Sequence, residues 1–368
     1  ADESRTFGME GMFRQLGIWS SLGQLYTPQD KDQLMFYKED KTGQILQEGI
    51  NEAGAMCSWI AAATSYSTHG VPMIPFFIFY SMFGLQRTGD LWWAAGDCRS
   101  RGFLLGGTAG RTTLNGEGLQ HEDGHSHLWA AQIPNCVPYD PTFAYELAVI
   151  VHDGLRRMYA EQEDVYYYIT VMNENYEHPG MPEGAEPDIL KGMYLFQKGA
   201  AGKAPRVQLL GSGTVLREVI AAADLLKRDW GVEADVWSCP SFTLLARDGS
   251  ACARWNLLHP AEKPLLSHVE QCLNGTAGPV IASTDYVRGF AEQIRPYVSR
   301  RYKVLGTDGF GRSDTREKLR HFFEVDRHWV TITALAALAE EGVVDQTRIE
   351  EALDKYGIDR DKPNPLTA

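Results

Sequence analysis

The thirty-four residues from Ala53 to Gln86 contain no Asp, Glu, Lys or Arg. An uncharged stretch of that length belongs inside a protein core, a large interface or a membrane. The membrane fits worst. Its middle, Thr64-Ser65-Tyr66-Ser67-Thr68-His69-Gly70, is turn chemistry, and the apolar run after it, Val71 to Leu85, holds Pro72 and Pro75. That run is shorter than the ~18 residues of a span. The pattern predicts a buried helix, a turn and a strand covered on both faces, as at the centre of an α/β domain or a subunit interface. The helical pattern runs from Ile45 to Thr64, where Ala53, Ala55, Ala61, Ala62 and Ala63 allow close packing. Met73 to Phe83, rich in Ile, Phe and Tyr, is the strand.

The rest of the chain supports an α/β class with mostly parallel sheets. Val207 to Thr214 reads as a strand entering a glycine turn, Val215 to Trp230 as an amphipathic helix and Ala234 to Ser238 as the next strand. This is a βαβ unit, which implies a parallel sheet. Further strands are predicted at Val137–Asp140, Val165–Met172, Pro279–Ser283 and Lys303–Thr307. Helices are predicted at Phe143–Tyr159, Val287–Tyr297, Thr331–Glu341 and Thr347–Tyr356. A chain of 368 residues suits two domains. Composition shifts near residues 176–205, where Pro179, Gly180, Pro182 and Gly184 cluster, so the expected domains are 1–185 and 186–368.

The formal net charge is −13. That argues against a nucleic-acid partner or anionic lipid, both of which favour a basic face, and suits a basic protein partner. Six cysteines lie far apart with no CxxC, which points to reduced thiols in a cytoplasm. The first residues are polar and lack an initiator Met and the pattern of a signal peptide. The expectation is a processed chain or a piece of a longer one.

Chemistry concentrates in one loop. Gly116 to His127 holds three imidazoles and three carboxylates among glycines. Glycine lets backbone approach a ligand, and His titrates near neutrality. The pattern points to an active site; the competing reading is a surface loop or a network pinning an interface. His121-Glu122-Asp123-Gly124-His125 has the HExxH order of zinc proteases, but that chemistry needs a helix, and these glycines predict a loop. Gly211-Ser212-Gly213-Thr214 lacks the third glycine or the lysine of a phosphate loop and reads as a tight turn. Glu48 and Glu52, four apart on the predicted helix, share a face. Two readings of Glu52 stay open: a solvated surface carboxylate, or a buried one held protonated. Asp308 to Asp314 reads as a turn into a helix capped by Ser313 or Asp314.

Several long segments together resemble one family: Gln44–Gly54, Ala61–Thr68, Gly110–His127, Tyr166–Gly184 and Gly306–Asp326. The chain resembles bacterial homodimeric pyruvate dehydrogenase E1 components, thiamine diphosphate enzymes of the transketolase superfamily. That resemblance implies two three-layer α/β/α domains, a pyrimidine-binding domain followed by a transketolase-type C-terminal domain. Family members are about twice as long, and the GDG motif that serves Mg²⁺ and diphosphate is absent here. The likeness is therefore to the C-terminal half, with the Mg²⁺ and diphosphate ligands expected outside this chain. The alternative is a folded but non-catalytic fragment or scaffold.

By the same resemblance, Glu52 falls where a glutamate bonds N1′ of the aminopyrimidine, and Tyr80 near an aromatic contact to that ring. His121 and Glu117 match the loop facing substrate. His121 is expected to orient pyruvate or to move a proton during acetyl transfer to lipoyl-lysine. His125 and His127 are expected to be structural. Asp2 and Glu3 match an acidic pair near the site. The implied partners are pyruvate, the lipoyl and peripheral-subunit-binding domains of the E2 acyltransferase, and a second copy of the chain.

Overall fold

The structure is a computed structural model that describes residues 11–29, 31–32 and 38–368. Two sheets organise it. The first holds β1 (Phe76–Tyr80), β2 (Phe103–Gly107), β3 (Cys136–Tyr139) and β4 (Tyr166–Thr170) in the order β1-β2-β4-β3, all parallel. The second holds β5 (Tyr194–Gln197), β6 (Arg206–Gly211), β7 (Glu233–Ser238), β8 (Val280–Ser283) and β9 (Tyr302–Leu305) in the order β9-β8-β6-β7-β5. Only β5 runs antiparallel to its neighbour in that sheet.

Alternation along the strands feeds two cores in each sheet, which makes each a three-layer unit. In the first sheet Phe79, Leu104, Tyr166 and Tyr168 face Met56, Trp59 and Trp92. Their sequence neighbours Phe103, Tyr167 and Ile169 face Ile150 and Met158 on the other side. In the second, Leu209 and Val236 pack with Leu216, Ala334 and Leu338, while Leu210 and Trp237 pack with Phe242, Leu245 and Phe290. Each fully buried large apolar side chain contributes roughly 1.5–3 kcal/mol relative to exposure.

The helix α1 (Glu52–Ala63) starts later than its sequence pattern suggests. Asn51 caps it, its side chain accepting from the Gly54 N–H at 3.1 Å, and a cap with non-helical backbone ends the helix on its N-terminal side. Glu48 therefore lies before the helix, not on its face with Glu52; it accepts a hydrogen bond from Ser58 Oγ instead. The strand β1 is also not covered on both faces. It is the edge of its sheet, with Phe76 48% exposed.

Two long helices have no counterpart in the sequence reading: α2 (Gly84–Asp97) and α6 (Phe242–Leu258). Other helices, in order along the chain, are α3 (Ser126–Ala131), α4 (Ala144–Leu155), α5 (Leu216–Trp230), α7 (Arg316–Phe322), α8 (Arg327–Glu340) and α9 (Thr347–Lys355). The helix expected at 287–297 shrinks to a turn at Gly289–Glu292 and a 3₁₀ turn at Arg295–Tyr297. The cap of α7 is Thr315, which accepts from the Lys318 N–H, not Ser313 or Asp314. Among the described residues no helix is long and apolar enough to cross a membrane.

Candidate active site

Glu52 is the first residue of α1, Tyr80 the last of β1, and His121 ends a 3₁₀ turn (Leu119–His121) in the glycine-rich loop. These distant positions meet around a cavity of about 660 Å³, with Phe83, Arg87 and Gln120 also in its wall. The carboxyl end of a parallel strand is where α/β folds place ligands, because loops of several units converge there.

The site combines one ion pair with a box of rings. Arg87 Nη1 donates to Glu52 Oε1 at 2.9 Å, with side-chain exposures of 49% and 14%. The Arg87 guanidinium lies 4.1 Å from the centre of the Phe83 ring. His121 meets Phe83 edge-on at 5.0 Å and Tyr80 at 5.6 Å between centroids, and its Nδ1 lies 3.3 Å from the Gly118 carbonyl. A carboxylate beside aromatic rings suits a polar heteroaromatic ligand: the rings supply its faces and the carboxylate an acceptor.

The Glu52 side chain is 14% exposed. It lines the cavity, and its partner there is a cation rather than an apolar helix face. Arg87 is the site residue that sequence reasoning missed. Its signal was present, because Glu52 and Arg87 are the charges that bound the uncharged stretch on either side. Phe83 was missed as well, being counted only as strand.

The other expected residues separate. Glu117 is exposed in the bend and outside the cavity wall. His125 packs on Trp129 at 4.6 Å. His127 is buried among Tyr168, Tyr286 and Phe290, and burial pushes its imidazole down to about 4. Asp2 and Glu3 lie outside the described residues. The HExxH order is not helical, with His121 in the 3₁₀ turn and His125 beyond it, so the zinc-protease arrangement does not form. Among the described residues no three His, Cys, Asp or Glu side chains group as a metal site.

Behind the cavity the loop rests on buried acids. Glu122 Oε2 accepts from the Arg312 N–H at 2.6 Å while its Oε1 has no partner, and burial pushes this carboxyl up to about 8. Asp285 accepts from the Thr112 N–H at 2.8 Å and from the hydroxyls of Thr112 and Thr113. Asp140, bonded to Thr170 and Ser212, is pushed up to about 7 by burial.

Residues 1–179 match the pyruvate dehydrogenase E1 component middle domain, and residues 192–326 match the transketolase-like C-terminal domain. The pyruvate dehydrogenase E1 component of Cupriavidus necator is 75% identical over 367 residues, covering 100% of this chain and 41% of the relative. That of Pseudomonas aeruginosa is 69% identical, covering 99% and 42%, and that of Escherichia coli K12 is 62% identical, covering 100% and 41%. The chain therefore spans about two-fifths of the length of these relatives. Among solved structures, Leishmania mexicana transketolase superposes with a TM-score of 0.67 at 16% identity, over 92% of this chain and 42% of that one. A split-gene transketolase chain from an inactive β4 tetramer superposes with a TM-score of 0.56 at 15% identity, over 92% and 98%. These structures share the α/β fold. With a middle domain followed by a transketolase-like C-terminal domain, the chain belongs to the pyruvate dehydrogenase E1 component family.

Proposed function

We propose that this chain is the pyrimidine-binding and C-terminal part, divided near residues 185 and 186, of a cytoplasmic thiamine diphosphate-dependent pyruvate dehydrogenase E1 component. The carrying observation is the cavity in which Glu52, Tyr80, Phe83 and His121 converge. Thiamine diphosphate supplies the carbanion-stabilising chemistry for decarboxylating a 2-oxo acid. The residues fit its aminopyrimidine: Glu52 offers a carboxylate for a ring nitrogen, and Tyr80 and Phe83 offer aromatic contacts.

Each residue has a distinct task. Glu52 holds a proton at the ring nitrogen once Arg87 yields. Arg87 is half exposed, and an ion pair open to solvent contributes only roughly 0–1 kcal/mol, so the exchange costs little. His121, fixed by two ring contacts, orients pyruvate or passes a proton during transfer of the acetyl group to a lipoyl domain of the E2 acyltransferase. The acidic surface suits a basic peripheral-subunit-binding domain of that partner. Diphosphate and Mg²⁺ ligands come from the remaining length of the polypeptide, and the site closes in a homodimer. The test is CO₂ release from pyruvate, and acetylation of a lipoyl domain, by this chain assembled with that remainder. Turnover with pyruvate that requires thiamine diphosphate supports the reading. Turnover without it refutes the reading.

A further inference from the structure

The loop at 108–125 carries His121, yet its repeating structure is limited to the turn at Leu119–His121. Its hold comes from the side of the second sheet. Arg111 is buried, and its Nη1 donates to the carbonyl of Thr307 at 2.6 Å and to that of Gly309. Its Nε approaches the carbonyl of Glu122, the residue after His121, at 3.5 Å. The Gly124 carbonyl accepts from the Val287 N–H at 2.8 Å. The guanidinium fits because residue 124 is glycine, since an added Cβ would collide with its central carbon.

We infer that Arg111 is a positioning residue for His121: its guanidinium, threaded past Gly124, ties the backbone after His121 to the carbonyls of Thr307 and Gly309, and so sets the His121 ring against Phe83 at the cavity. The inference rests on the functional reading for the reaction and adds the second domain's part in it. A planar guanidinium serves several carbonyls in fixed directions, whereas a lysine ammonium is a single compact charge on a flexible stem. The second domain then acts as the rigid support on which a glycine-rich loop acquires one geometry.

The test uses the full-length enzyme with Arg111→Lys and, separately, Gly124→Ala. The latter keeps every polar group, and Gly124 is not in the left-handed region, so its effect passes through the displaced guanidinium. The first readout needs no turnover. Diethyl pyrocarbonate modification of His121, followed by peptide mass spectrometry, rises several-fold in both variants while buried His127 stays protected. The second is a double-mutant cycle with His121→Gln on lipoyl-domain acetylation. Alone, Arg111→Lys lowers the rate by up to about 10²-fold, the scale of a misplaced reacting group. On top of His121→Gln it adds less than about twofold, because the two share one effect.

Unchanged His121 modification in both variants overturns the inference. So does a rate loss of equal size with and without His121→Gln, or a parallel rise at His127, which marks general loosening. A wild-type enzyme that turns over without thiamine diphosphate refutes the functional reading instead, and the modification rates still decide the positioning.

Discussion

Glu52 and Arg87 bound the uncharged stretch in sequence and meet at 2.9 Å in space. Glu52→Gln keeps the shape and removes the charge. In the full-length enzyme it lowers pyruvate decarboxylation by roughly 10²–10⁴-fold, the range of a lost proton-transfer group, and steady-state assay at saturating cofactor checks this. Glu122 makes a pH prediction. Its carboxyl is pushed up to about 8 from an ordinary 4.5, so between those values the folded state binds more protons than the unfolded one. Its contribution to stability therefore falls as pH rises through that window. Glu122→Gln removes the loss, and thermal melts should show the variant gaining on wild type from pH 5 to pH 8. A gap independent of pH contradicts this account. Buried His127 has the opposite sign, since its imidazole is pushed down to about 4 and its contribution is lost as pH falls from 6.5.

At the scale of elements, two glycines inside helices, Gly84 and Gly249, mark close approaches. Gly249 lies in α6 against the Tyr297 ring, which an added Cβ would strike. Gly249→Ala therefore lowers the melting temperature. Overpacking costs about 1–3 kcal/mol, against about 1 kcal/mol of gained helix propensity. The same glycines explain what the sequence concealed. Gly84, Gly89 and Gly96 in α2, and Asp248-Gly249-Ser250 in α6, are poor helix formers and weaken the local helical signal. Tertiary contacts decide otherwise, with the Phe79 ring against Gly84 and Tyr297 against Gly249. Strands such as β4 and β6 and the helix α5 were legible because their apolar period matches their geometry. In the site, the loop that carries His121 stood out by its imidazoles and carboxylates, whereas Tyr80 followed only from the family resemblance. Arg87 did not stand out, because its pairing with Glu52 joins two helices that sequence spacing does not connect. Glu48 was misplaced because a single cap, Asn51, decides where α1 begins.

At the scale of the whole molecule, the uncharged stretch leaves an apolar surface. Ala53, Cys57 and Ala61 are exposed along one side of α1, and Val71, Met73, Ile74 and Phe76 are about half exposed near the edge strand. Exposed apolar residues of this kind suit an interface, and the homodimer proposed above would cover them with a second copy. Ala61→Glu then lowers the sedimentation coefficient to that of the undimerised protein, while an unchanged coefficient places the interface elsewhere. The central claim is that the Glu52 cavity receives the aminopyrimidine of thiamine diphosphate, with the diphosphate held from outside this chain. Calorimetric titration with thiamine diphosphate and Mg²⁺, with and without the remaining part of the enzyme, tests it most directly. The account predicts tight binding only when that part is present, and weakened by Glu52→Ala. Tight binding by this chain alone, indifferent to Glu52, would contradict it.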